Sequence, residues 1–166
     1  GFEVAQRGAG PTTGVSGVPS TVDRWNIPLS GETTQQLTND RVSYPSKMLK
    51  VTAHTNGYGI IRQTLENPAT LSGGYATLSF WAKTSTANAF RVEFQQIFGT
   101  GGSSVVSIID DADYWKVPND EWNFYSITVY LPSTIGKTVG TGSPGLSVLF
   151  GPTSGQPSGN IVYYSE

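Results

Sequence analysis

Alternation of apolar and polar residues with a period of two runs through most of this sequence, and it restricts the fold more than any other feature. In the run Thr77–Lys83, Leu78, Phe80 and Ala82 share one face, and Tyr125–Leu131 repeats the pattern. The spacing predicts about ten or eleven short strands. Besides these two runs, strands are predicted near Phe2–Gln6, Thr21–Leu29, Thr33–Val42, Lys47–Ala53, Gly59–Glu66, Phe90–Phe98, Ser104–Ile109, Leu146–Phe150 and Ile161–Tyr164.

The segments between these runs are rich in turn-forming residues, since the chain of 166 residues contains 20 glycines and 10 prolines. Long, flexible loops are predicted at 8–20, 99–104, 136–145 and 151–159. One helical turn is predicted at Pro68–Ser72, because Asn67 can cap it and proline suits its first position. Many short strands joined by long loops indicate a single domain over 1–166, an all-β jelly-roll β-sandwich of about ten antiparallel strands.

The charge and residue inventory excludes several kinds of function. With 12 acidic and 10 basic residues and a net charge of −2, the chain has no basic patch that would bind nucleic acid. No apolar run approaches the length that spans a bilayer, so no membrane insertion is predicted. The absence of cysteine and the single His54 exclude thiolate and histidine-rich metal sites. No nucleophile elbow and no phosphate-binding loop occur, so no enzymatic activity is predicted.

Acidic residues are concentrated in one stretch of the sequence, at Asp110, Asp111, Asp113, Asp120 and Glu121. A solvated acidic loop is one interpretation. A calcium site is a second, because Asp110 and Asp113 could supply two oxygen ligands from one loop, although the spacing differs from that of an EF-hand. A pair of carboxylates that hydrolyses a glycosidic bond is a third.

Aromatic and planar polar residues in the same stretch are typical of a site that binds sugars. Tyr114 and Trp115 could stack on a sugar ring, with Asp111, Asp113 and Asn119 beside them to bond its hydroxyls. The alternative is that Trp115 folds back and closes one end of the sandwich.

A second candidate lies on the polar side of the run Phe90–Phe98. Arg91, Glu93 and Gln95 alternate with core residues there, and Trp81 and Lys83 are expected on the neighbouring strand. An ordinary polar sheet face is the alternative.

The run that contains Tyr125 and Ile127 also has apolar residues on its opposite side, Trp122, Phe124 and Tyr130. Two apolar sides on one strand indicate burial on both sides or contact with a partner subunit. Phe124 and Tyr130 are therefore predicted at an oligomer interface.

Five segments, in order along the chain, resemble a β-sandwich module of phage tail-fibre and virion appendage proteins. They are Gly1–Gly8 (GFEVAQRG), Asp23–Trp25 (DRW), Leu78–Lys83 (LSFWAK), Gln95–Ser103 (QQIFGTGGS) and Gly136–Gly142 (GKTVGTG). The resemblance implies a jelly roll like that of carbohydrate-binding modules, carried on a trimeric appendage that touches host glycans. A chain that begins at Gly1 is accordingly expected to be excised from a longer virion protein.

The resemblance also bears on calcium. In related carbohydrate-binding sandwiches, an acid after the opening phenylalanine and acids in the last strand hold a structural calcium ion, and Glu3 fits the first position. The run Ile161–Tyr164 contains no aspartate pair, which departs from that pattern. A structural calcium ion at Glu3, Asp110 or Asp113 is the one cofactor that the sequence leaves open.

The sequence therefore predicts a non-enzymatic domain at the surface of a virion that binds host cell-surface carbohydrate. Tyr114 and Trp115 would stack on the sugar, and Asp111, Asp113, Asn119, Arg91 and Gln95 would bond its hydroxyls. A structural or oligomerisation domain that packs against itself or other virion proteins, as a homotrimer in the full-length protein, is the alternative. A glycan depolymerase is the third and weakest interpretation.

Overall fold

A computed structural model describes residues 12–14, 25–26, 33–38, 48–53, 60–86, 88–109, 115–117, 121–152 and 159–165. These residues form strands, turns and connections, with no helix among them. The twelve strands are β1 (Thr12–Gly14), β2 (Trp25–Asn26), β3 (Thr33–Thr38), β4 (Met48–Ala53), β5 (Ile61–Leu65), β6 (Gly74–Thr84), β7 (Asn88–Ile97), β8 (Val106–Ile109), β9 (Trp115–Val117), β10 (Asn123–Leu131), β11 (Gly145–Pro152) and β12 (Ile161–Ser165).

The strands form two antiparallel sheets. Sheet I has the order β1-β3-β4-β12-β6-β10, and sheet II has the order β2-β5-β11-β7-β8, with β9 also paired to β7. From β4 to β7 the chain crosses to the other sheet at every step, and it does so again from β10 to β12. This alternation is the winding of a jelly roll, so the predicted all-β jelly-roll β-sandwich is confirmed.

The core lies between the sheets and is built around Phe150. Its ring centroid lies 4.5 Å from that of Phe80, 5.3 Å from Tyr164 and 5.5 Å from Trp25, so both sheets contribute rings. Burying one such side chain stabilises the fold by about 1.5–3 kcal/mol. The alternation predicted for β6, β7 and β10 is confirmed, because the apolar members of each run face this core.

The segment predicted as a helical turn consists of successive tight turns instead. The Oδ1 atom of Asn67 accepts a hydrogen bond from the amide of Ala69 at 2.8 Å, and the Asn67 carbonyl accepts from Thr70 at 3.1 Å. Leu71 then adopts a φ of 58°, which is left-handed and ends any right-handed winding. The capping residue was predicted correctly, but the helix was not.

Two of the predicted flexible loops are bonded to each other. The amide of Gly140 donates to the Phe98 carbonyl at 2.7 Å, and the amide of Ser103 donates to the Thr138 carbonyl at 2.9 Å. A Cβ atom on Gly140 would clash with the Thr100 carbonyl, so only glycine allows the two backbones to approach this closely. Flexibility was therefore the wrong expectation here, and the glycine motifs in these loops maintain the scaffold.

Other differences concern the loops and the amino-terminal strand. Strand β1 lies inside the predicted loop 8–20, and β9 lies inside the acidic stretch. The predicted strand Phe2–Gln6 and residues 153–158 of the last predicted loop lie outside the described residues.

Candidate functional site

The outer face of sheet II, which points away from the core, carries a group of polar side chains on β5 and β7. On β7, Val92 and Phe94 face the core, so Arg91, Glu93 and Gln95 face outward. The register places Glu93 opposite the buried Leu149 of β11, which in turn lies opposite Arg62 of β5. We call Arg62, Arg91, Glu93 and Gln95 the polar face.

Glu93 is the centre of the polar face and is only 5% exposed. Its Oε2 atom lies 3.2 Å from Nη2 of Arg91, and its Oε1 atom accepts a hydrogen bond from Nε2 of Gln95 at 2.6 Å. The two partners are two positions before and after Glu93, so the strand itself aligns the three side chains. Both carboxylate oxygens are thereby held in fixed positions.

Arg62 lies at the edge of the polar face and is only partly solvated. Burial lowers the pKa of its guanidinium, and the negative charge of Glu93 raises it by a smaller amount. Its Nε atom is buried and has no hydrogen-bond partner among the described residues. A buried donor without an acceptor destabilises the folded state, so Arg62 is held here at a cost.

Strand pairing describes the residues on both sides of 110–114. Ile109, the last residue of β8, is paired with Glu93, and Trp115, the first residue of β9, is paired with Phe90. These two flanking residues therefore lie along the same side of β7, on either side of Arg91. The sequence predicted one site that combines this stretch with Arg91 and Gln95, and that combination stays a prediction.

Trp115 is described by its strand pairing with Phe90 of β7. Its two predicted roles, stacking on a sugar and closing one end of the sandwich, both stay predictions. The other predicted site residues of the stretch, Asp111, Asp113, Tyr114 and Asn119, lie outside the described residues.

One predicted neighbourhood is wrong. Trp81 and Lys83 were expected beside Arg91, but they lie on β6 in sheet I, whereas Arg91 lies on β7 in sheet II. The reason is topological, because β6 and β7 are consecutive in the chain but belong to opposite sheets.

The outer face of sheet I has a different composition. Phe124 and Tyr130, predicted at an oligomer interface, are 55% and 51% exposed. Phe124 contacts Trp81 with a centroid distance of 5.3 Å, and Tyr130 contacts Tyr75 at 5.4 Å. We call these two ring pairs, together with the hydroxyl residues between them, the aromatic stripe.

Hydroxyl groups connect the two ends of the aromatic stripe. Thr77 and Thr128 are joined by a hydrogen bond of 2.8 Å, and Ser79 and Ser126 by one of 3.0 Å. Tyr75 is 73% exposed and was not singled out from the sequence. The signal in the sequence is its position two residues before Thr77, which places both side chains on the same face of the strand.

Beyond Trp81 the outer face of sheet I carries a cation between two rings. The Nζ atom of Lys83 lies 4.8 Å from the ring centroid of Tyr163 and 5.4 Å from that of Trp122. These distances are those of cation–π contacts, so the ammonium group is held by the protein's own aromatic residues.

The predicted calcium ligands Glu3, Asp110 and Asp113 all lie outside the described residues, and a structural calcium ion stays a prediction. Within the described part of the chain, no group of three or more histidine, aspartate or glutamate residues is arranged to hold a metal ion. Within that same part, no helix is long and apolar enough to cross a membrane.

Comparisons with known proteins identify structural relatives only. No protein-family model and no curated protein matches the chain. Among solved structures, the enzymatically active domain of tailspike protein 4 from bacteriophage CBA120 has a TM-score of 0.55 and 19% identity, over 86% of this chain and 19% of that one. The second xylan-binding CBM22 domain of Xyn10C from Paenibacillus barcinonensis has a TM-score of 0.60 and 11% identity, over 86% of this chain and 91% of that one.

The C-terminal family 22 carbohydrate-binding module of Xyn10B from Clostridium thermocellum has a TM-score of 0.56 and 19% identity, over 87% of this chain and 84% of that one. At such identities the likeness shows the fold. The chain thus has the jelly-roll β-sandwich of carbohydrate-binding modules, a fold that a phage tailspike domain also contains.

Proposed function

We propose that this domain binds carbohydrate without catalysis, through the polar face. The observation that carries the proposal is Glu93, a nearly buried carboxylate on a sheet face that points away from the core, held by Arg91 and Gln95. Burying a charge seldom adds stability, so such a group is better explained by a binding role. Carboxylate, guanidinium and amide groups together supply the donors and acceptors that sugar hydroxyls require.

Each residue of the polar face has a distinct role in this proposal. Arg91 and Gln95 donate to sugar oxygens with the N–H groups that Glu93 does not use, and Glu93 keeps both side chains in place. Fixing these groups before binding lowers the entropic cost of association. The guanidinium of Arg62 adds a positive charge at the edge of the polar face, near Glu93.

The acidic stretch completes the site in this proposal. Asp111, Asp113 and Asn119 would bond further hydroxyls, and Tyr114 and Trp115 would stack on the sugar. What supports the inclusion of Asp111, Asp113 and Tyr114 is that the residues on both sides of 110–114, Ile109 and Trp115, pair with β7 beside Arg91.

We propose binding rather than cleavage because the described carboxylate of the polar face is occupied. Glycoside hydrolysis requires two carboxyl groups, one of which must give or take a proton. Glu93 accepts bonds from a guanidinium and an amide, so both of its oxygens are already engaged by the protein. A depolymerase therefore remains the weakest alternative, and release of reducing sugar from bacterial polysaccharide would support it.

The setting that we propose is a phage virion appendage that touches host-surface glycans. The support is the resemblance of five sequence segments to appendage modules, together with the fold shared with a phage tailspike. Display on a homotrimer would raise weak single-site affinity through multivalency.

The test is a glycan array probed with the 166-residue chain and two variants, Arg91→Ala and Lys137→Ala. Lys137 is an exposed cation on a loop and is the matched control. Arg91→Ala should lower affinity at least about tenfold, because a hydrogen bond to a charged group contributes about 1.5–3 kcal/mol. Equal binding by Arg91→Ala and the unmodified chain, with both folded, would contradict the assignment of the polar face.

A structural domain without its own ligand is the second candidate, and the aromatic stripe favours it. Phe124, Tyr130 and Tyr75 expose large rings on one face, and such patches mark contacts with other molecules.

A further inference from the structure

Strand β10 is a long edge strand without the features that normally protect an edge. It lies at the end of sheet I, and among the described residues only β6 pairs with it. Its nine residues, NFYSITVYL, include no charge, no proline and no glycine. Soluble proteins usually place such residues on exposed edges, because an open strand edge pairs with other chains.

The outward-facing backbone groups of β10 can be identified. The Leu131 carbonyl accepts a hydrogen bond from Gly73, on the β6 side, at 2.8 Å. Because backbone groups alternate in direction along a strand, the odd-numbered residues bond towards β6 and the even-numbered residues point away. The short hydroxyl contacts of Ser126 and Thr128 with β6 agree, since side chains lie closest in pairs that exchange no backbone bonds.

We propose that β10 pairs with the β10 strand of a second copy of this chain, antiparallel and centred on Ile127. In this register Phe124 lies opposite Tyr130 of the other copy, and Ser126 lies opposite Thr128. Four residues of each strand have backbone groups that point away from β6, namely Phe124, Ser126, Thr128 and Tyr130. In this register all four exchange backbone hydrogen bonds with the second copy. A shift by two residues in either direction leaves at least one of them unpaired.

The side chains of the strand agree with this register. The outer face of sheet I runs from rings through hydroxyls to rings, with Phe124 at one end and Tyr130 at the other. The two-fold operation brings aromatic residues against aromatic residues and hydroxyls against hydroxyls, so the aromatic stripe doubles in width. Such self-complementarity is what an isologous contact requires, and it identifies a second copy as the partner.

A two-fold contact of this kind joins copies in pairs and does not close a trimer. The inference concerns sheet I and stands apart from carbohydrate binding at sheet II, so either can fail without the other.

Sedimentation of the 166-residue chain up to about 100 μM is the first measurement, since contacts of this size range widely in affinity. The unmodified chain should form dimers. Thr128→Lys, which places a charge on the edge, should weaken dimerisation at least about tenfold. Thr77→Lys is the control, because its side chain lies on the same face but its strand is not an edge. A monomer or a trimer of the unmodified chain, or equal loss in both variants, would overturn the proposal.

Cross-linking tests the register itself in a chain that has no cysteine. Ser126→Cys and Thr128→Cys variants, oxidised together, should form a disulfide between the two different chains, because their Cα atoms would be about 5.5 Å apart. Each variant oxidised alone should cross-link much less. Efficient cross-linking of either variant alone, or none in the mixture, would refute the register centred on Ile127.

Discussion

The two outer faces of this sandwich use polar and apolar residues in opposite ways. The polar face of sheet II buries a charged side chain, Glu93, whereas the aromatic stripe of sheet I exposes rings to solvent. Each departs from the usual distribution of residues, in which charges are exposed and large rings are covered. Under the two proposals made above, both faces serve contacts outside the domain, the polar face with sugar hydroxyls and the aromatic stripe with a second copy of the chain.

The faces should also differ in what they contribute to stability. Groups on the polar face depend on one another, since Arg91 and Gln95 both bond Glu93. On the aromatic stripe, Tyr75, Phe124 and Tyr130 keep much of their surface in water. Substitutions on the polar face should therefore lower the free energy of unfolding, and substitutions on the stripe should mainly alter association.

Glu93→Ala should show the largest effect. It removes the acceptor of two side chains in a desolvated site, and we expect a loss of about 1–3 kcal/mol, of which the half-exposed Arg91 accounts for the smaller part. For a domain of this size the melting temperature should fall by about 2–4 °C for each kcal/mol. Glu93→Gln keeps the shape and should lose less stability, while losing as much affinity for glycan. An unchanged melting temperature for Glu93→Ala would contradict the expectation that the polar face contributes more to stability than the aromatic stripe.

Raising the pH tests how much the buried tyrosines of the core contribute to stability. Burial raises the pKa of Tyr164 well above the ordinary value near 10, and it raises that of the less buried Tyr125 as well. A raised folded-state pKa means that stability is complete below the ordinary value and is lost as pH rises towards the folded one. Above about pH 10, the free energy of unfolding should fall with a slope approaching 1.4 kcal/mol per pH unit for Tyr164, and Tyr125 should add a smaller decline.

Tyr164→Phe provides the control for this titration. Denaturant unfolding at a series of pH values should show a shallower decline for the variant than for the unmodified chain. Parallel declines would assign the alkaline loss to other groups.

Lys83→Met should have a smaller effect. It removes the cation between Tyr163 and Trp122 but keeps most of the aliphatic stem, so we expect a loss of about 0.5–1 kcal/mol. Lys83→Arg retains the charge and should restore most of the stability in denaturant unfolding. If Lys83→Met and Lys83→Arg lower the free energy of unfolding by the same amount, Lys83 stabilises the fold through packing rather than through its charge.

The sequence predicted the local features of this fold and missed the ones that depend on topology. Alternation located most of the described strands and the core members Phe80, Phe94 and Ile127, because the pleat of a strand is a local property. It could not assign strands to sheets, and for that reason Trp81 was placed beside Arg91. The winding of a jelly roll is settled by contacts between residues far apart in the chain.

The candidate site shows the same division between local and distant information. The row Arg91, Glu93 and Gln95 was visible from spacing. The burial of Glu93 was not, because it depends on neighbours on β8 and β11. Likewise, the glycines of 99–102 and 136–142 indicated flexible loops until their pairing with each other was known.

Tyr75→Ala should be the mildest of these substitutions, and it tests the stripe directly. Tyr75 packs edge-on against Tyr130 at 5.4 Å but is largely exposed, so removal of its ring should cost at most about 1 kcal/mol. In the dimer proposed for β10, the ring of Tyr130 would lie beside Phe124 of the second copy, and Tyr75 would pack against the other side of the Tyr130 ring. Dimerisation measured by sedimentation should therefore weaken by more than the melting temperature suggests. If Tyr75→Ala lowers the free energy of unfolding as much as Glu93→Ala does, the aromatic stripe stabilises the fold. The expected difference between the two faces would then be wrong.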